Sequence, residues 1–111
     1  MKRQGEILVI QVDEFPAKGN FEPVSPENGR LIVGHSETGH HHVIELVKSP
    51  NAKLLVDKTN EFIALLDLGE DAVIEHLRSF DTHKPLHLKK GKHIVRHRRE
   101  FTPEGLRRVE D

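Results

Sequence analysis

The stretch "KLLVDKTNEFIALLDLGEDAVIEHL", residues 53–77, decides the fold class. Two readings compete within it. As a helix, residues 61–68 have Ala and Leu in their favour, but the helix would be only about two turns long, with nothing but Gly69 to cap its end. As strands, the stretch breaks at 58–60 and at 69–71 into three short segments rich in Leu, Ile and Val. The strand reading is the better one, and it fixes the interpretation of the rest.

Outward from this stretch the same pattern recurs. "GEILVIQV" predicts a strand over residues 6–12. The segment 13–29 holds three prolines and two glycines and reads as a long loop, with a short edge strand near 21–24. "RLIVGHS" is a second strand, with Leu31, Val33 and His35 on one side. "HHHVIELV" is a third, closed by the turn residues Ser49, Pro50 and Asn51. "PLHLKKGKHIVRHRREF" reads as a hairpin turning near 89–92. In the tail, Thr102 as N-cap with Pro103 and Glu104 behind it predicts one helical turn. Seven or eight short strands in 111 residues imply one all-β domain over 1–111, a small barrel or jelly-roll-like sandwich.

Composition narrows the chemistry. There is no cysteine, which excludes disulfides, thiolate metal sites and thiol nucleophiles and suits a reducing cytoplasm. The apolar-rich run after "MKRQGE" is too short for a signal sequence, and no stretch is long enough to span a membrane. No nucleophile-elbow pattern surrounds a serine, and "GRLIVGHSETG" lacks the Lys-Ser/Thr ending of a phosphate-binding loop. Residues 1–75 carry 7 basic and 13 acidic side chains, whereas 76–111 carry 10 and 5. Such asymmetry marks either halves that attract each other or a basic face.

Nine histidines are the outstanding feature, four of them between His35 and His42. Strand alternation places His40 and His42 on the face of Ile44 and Leu46, and His41 on the opposite face with Val43 and Glu45. Two imidazoles two residues apart on one face can chelate a divalent ion, and a neighbouring strand must complete the shell. The completing ligand expected is His83; His35, His76 and His93 are further candidates, and His93 and His97 flank Val95. Glu45 is the carboxylate candidate, with Glu37, Glu75 and Asp81 also near enough in the chain to bind or to orient an imidazole.

The stretch "GHSETGHHHVIE" resembles the first half of the cupin motif, with Gly34, His40 and His42 at its spacing. Glu45 falls one or two residues early and the closing Gly is missing. Pro85, Gly91 and His93 echo the second motif with altered spacing. The order "TGHHH … THKP … RREFTPE" is also similar to a group of small bacterial and phage proteins, in which His40, His42 and His83 are the matched histidines. The cupin resemblance implies iron, manganese, zinc or nickel in a barrel mouth, chemistry from dioxygenation to isomerisation, and in some members ligand binding alone. It assigns no reaction, so enzyme and small-molecule binder both stay open.

Two other readings stand beside the metal site. The basic run from 84 to 99 offers Lys89, Lys90, Lys92, Arg96, Arg98 and Arg99 to a phosphate backbone. Against it, the chain has no Tyr or Trp for base stacking and a net charge of −1. The domain also suits an interaction or assembly subunit, including a homo-oligomer, with histidines as pH-sensitive contacts.

Overall fold

The computed structural model describes residues 1–17, 19–34, 41–76, 84–97, 99–102 and 105–108, with backbone only for 61, 99–102 and 105–108. Among these residues twelve strands follow one another: β1 (Lys2–Gln4), β2 (Ile7–Val12), β3 (Phe21–Pro23), β4 (Arg30–Gly34), β5 (His42–Glu45) and β6 (Ala52–Asp57), then β7 (Asn60–Leu68), β8 (Ala72–His76), β9 (Leu86–Leu88), β10 (Gly91–His97), β11 (Arg99–Thr102) and β12 (Gly105–Arg108). No helix occurs among the described residues. The described part of the stretch 53–77, residues 53–76, holds most of β6 and all of β7 and β8, and residues 61–68 make up all but the first residue of β7, the longest strand. Flanking strands supply the reason: β7 pairs with both β6 and β10, so tertiary pairing outweighs the helix propensity of Ala64, Leu65 and Leu66.

A six-stranded sheet runs in the order β1-β2-β10-β7-β6-β3 and a four-stranded one in the order β4-β5-β8-β9, with every pairing antiparallel. The inner faces share one core. Ile7, Val9, Ala64, Leu66 and Val95 come from the large sheet and Leu31, Val33, Ile44, Ile74 and Leu88 from the small one, all at most 3% exposed. Among the described residues both sheets keep free edges, so the architecture is a sandwich and not a closed barrel.

Two local expectations are overturned. The segment 85–101 is not a hairpin: β9 pairs with β8 in the small sheet, while β10 pairs with β2 and β7 in the large one. The chain crosses between layers at Lys89–Gly91, where Gly91 has φ 131°, a conformation that side-chain-bearing residues rarely adopt. The tail is not a helical turn either, since Thr102 pairs with Gly105 and Arg99 with Arg108 in a two-stranded ribbon. Residues 103–104, the expected first turn, lie outside the described residues.

A hairpin that sequence patterning missed opens the chain. Gln4 pairs with Ile7 across a two-residue Gly5–Glu6 turn, with Gly5 at φ 57°. This turn sets Gln4 and Glu6 at one end of the sandwich.

Candidate metal centre

Small-sheet register builds one side of the site. Gly34, His42 and His76 stand opposite one another across β4, β5 and β8. Direct cross-strand partners share a face, and the rings of His42 and His76 stack with centroids 4.2 Å apart and planes within 1°. Gly34 leaves the room they need: a Cβ there would come within 2.9 Å of Ile7 Cγ2 and 3.0 Å of His42 Cδ2. The inward face expected for His42 is observed. Its ring is fully buried, as is Ile44, and His41 is only half-buried.

The large sheet supplies the other side. Gln4, 2% exposed, donates both amide hydrogens, to the carbonyls of Ile74 (3.0 Å) and Lys84 (2.9 Å). Carbonyls only accept, so the amide orientation is fixed and Oε1 faces His42 Nδ1 at 2.8 Å. An amide oxygen also only accepts, and His42 Nδ1 must therefore carry hydrogen. The basic lone pair of the neutral ring then lies on Nε2, whose nearby carboxylate is Glu6, with Oε1 3.8 Å away and the residue 3% exposed.

Electrostatics limits this pocket to about one cation. Positive charges on both stacked rings would repel by about 4 kcal/mol at an effective dielectric of about 20. The buried Glu6 carboxylate, 3.8 Å from His42 Nε2, gives the site its negative charge. Ligands bound at about 2.1 Å around a tetrahedral ion stand roughly 3.4 Å apart, close to the observed spacing.

Several expected ligands change role. His76, 7% exposed, stacks on the His42 ring with centroids 4.2 Å apart. Glu45 lies on the outer face, opposite to His42, and binds Arg30 Nε at 2.7 Å. Glu75 is also outward and pairs with Lys48 at 3.7 Å. His93 is buried, but its Nε2 donates to the Lys89 carbonyl (2.8 Å), and it pairs with Gln11, about 13 Å along β2 from Ile7. His97 stands opposite Ile7 on the inner face, at the end of β2 that carries Glu6. His35, Glu37, His40, Asp81 and His83 lie outside the described residues. Among the described residues no three His, Asp or Glu side chains converge as a metal would require.

Sequence reasoning missed Gln4 and Glu6. Gln4 precedes the predicted strand and Glu6 is its first residue, so the Gly5 turn signal before a strong strand is the cue that could have found them.

The basic residues are spread over different faces. Lys89 and Lys90 occupy the crossing between sheets, where Lys89 Nζ lies 3.8 Å from Asp71 and the Lys90 amide donates to Asp71 Oδ1. Lys92 and Arg96 are on the outer face of the large sheet. Arg98 lies outside the described residues and only the backbone of Arg99 is described.

A family model for a domain of unknown function, DUF8820, matches residues 3–98. The chain belongs to this family. The matched region takes in both sheets and Gln4, Glu6, His42 and His76, and ends before β11. No curated protein and no solved structure matches the chain. No helix of the described residues is long and apolar enough to cross a membrane.

Proposed function

We propose that this protein is a cytoplasmic metal-binding β-sandwich that holds one divalent ion (iron, manganese, zinc or nickel) between His42 Nε2 and Glu6. The observation that carries the reading is the Gln4 clamp. It fixes the tautomer of His42 and presents the ligating nitrogen to a buried carboxylate, as outer partners do in metal sites. His40 and His83 are the proposed completing ligands; they adjoin His41 and Lys84 in the chain, and the Lys84 carbonyl is itself held by Gln4. When bound, the ion supplies a Lewis acid or a redox centre for a small ligand. The chain's own residues orient the imidazole, neutralise the ion and keep the site dry.

Elemental analysis of untagged protein, purified without chelators or nickel, tests this. The expected result is about one equivalent of metal, lost in His42→Ala and in Glu6→Gln and kept in His41→Ala. Metal-free, well-folded protein whose unfolding midpoint does not rise on adding any of the four ions would overturn it.

A further inference from the structure

In a two-layer sandwich the outer faces meet water and should be polar, yet the outer face of the large sheet carries an apolar row in register. Ile10 stands opposite Ile94, Ile94 opposite Leu65, Leu65 opposite Leu55, and Leu55 opposite Pro23. None belongs to the shared core. Leu8 and Ile63, either side of Arg96, widen the row by one step along the strands. Leu65 at the centre is 3% exposed, and Ile10, Ile94, Leu55 and Ile63 around it are partly buried. The row on the other side is charged: Val12, Lys92, Asp67 and Lys53 stand opposite one another in that order.

We propose that this face docks on a second copy of the same chain, about a two-fold axis parallel to the strands and running between β7 and β10. Charge complementarity selects both the occupant and the axis. This axis lays Leu65 over the partner's Ile94 and Leu55 over the partner's Ile10, the arrangement of aligned sheets stacked about 10 Å apart. It also sets Asp67 against the partner's Lys92, and by symmetry does so twice. A two-fold axis along the apolar row would instead set Lys92 against the partner's Arg96, a like-charge contact. Phe15 stands at the rim, with Lys92 Nζ 5.9 Å from its ring centre. The apolar row spans about 20 Å across β2, β10, β7, β6 and β3, from strand spacings.

Sedimentation velocity from about 5 to 500 µM tests the proposal. The wild type is expected to pass from monomer to dimer. Asp67→Lys and Lys92→Asp should each stay monomeric, because each homodimer then opposes like charges. Mixed in equal amounts, the two variants should associate, because a chain with Lys at 67 and 92 meets one with Asp at both. This rescue between chains separates the contact from the Lys92–Asp67 cross-strand neighbours within one chain. Leu55→Glu, with folding checked by circular dichroism, should also be monomeric. A wild type that is monomeric at the top concentration, variants that associate like the wild type, or a mixture that stays monomeric would each overturn the proposal.

Discussion

Replacing Gln4 by Met keeps the length of the side chain and removes every hydrogen bond it makes. Three bonds are lost: to the Ile74 carbonyl, to the Lys84 carbonyl and to His42 Nδ1. Each is worth about 1 kcal/mol net, and a buried partner left unsatisfied costs about 1–3 kcal/mol. Gln4 and His42 are buried, while the Lys84 end is only partly so, which puts the total at about 3–5 kcal/mol. That is a large share of the roughly 5–15 kcal/mol of a typical domain. A chain of this size should lose on the order of 15 °C in Tm. Urea unfolding with chelator present isolates this structural part. A second measurement isolates the role in binding: with Nδ1 no longer held, metal affinity should fall about 10–100-fold. A loss of stability under about 1 kcal/mol would refute the reasoning, since it would mean that solvent or another group replaces the amide at no cost.

Other outcomes follow from particular contacts. Gly34→Ala should destabilise by about 1–3 kcal/mol, because the new methyl meets Ile7 and His42 at 3.0 Å or less; an unchanged urea midpoint would show that the His42 ring moves freely. Leu66→Ala, at a fully buried core position, should cost about 2–5 kcal/mol in the same assay. The Asp57 carboxylate accepts from the Thr59 hydroxyl (2.6 Å) and the Thr59 amide (2.8 Å), which hold its pKa below the usual value. Its contribution to stability is therefore present above the ordinary carboxylate pKa and fades as pH falls through the lowered one. An NMR titration should show a low Asp57 midpoint that rises in Thr59→Ala, and identical midpoints in the two proteins would contradict the assignment.

The strand content was legible in the sequence because period-2 alternation is a local property. Ile7–Val12, residues 30–33 and Ala72–His76 each carry their inward residues at every second position, and the breaks at 58–60 and 69–71 fall where the chain turns. The inward direction of His42 followed from the same alternation, since it shares parity with Ile44. A chain without cysteine also settles by itself that no disulfide or thiolate contributes.

Partners across space were decided only by the tertiary structure. The segment 85–101 reads as a hairpin, yet β9 and β10 join different sheets, because pairing depends on which distant strands offer edges. A carboxylate beside His42 in the fold is Glu6, 36 residues away in sequence, whereas Glu45, three residues away, faces outward to Arg30. Gln4 could not be recognised as the residue that fixes the His42 tautomer until two carbonyls from other segments had fixed its amide. Alternation specifies which face a side chain occupies. What that face meets depends on how the two sheets are laid together, and residues far apart in the chain settle that.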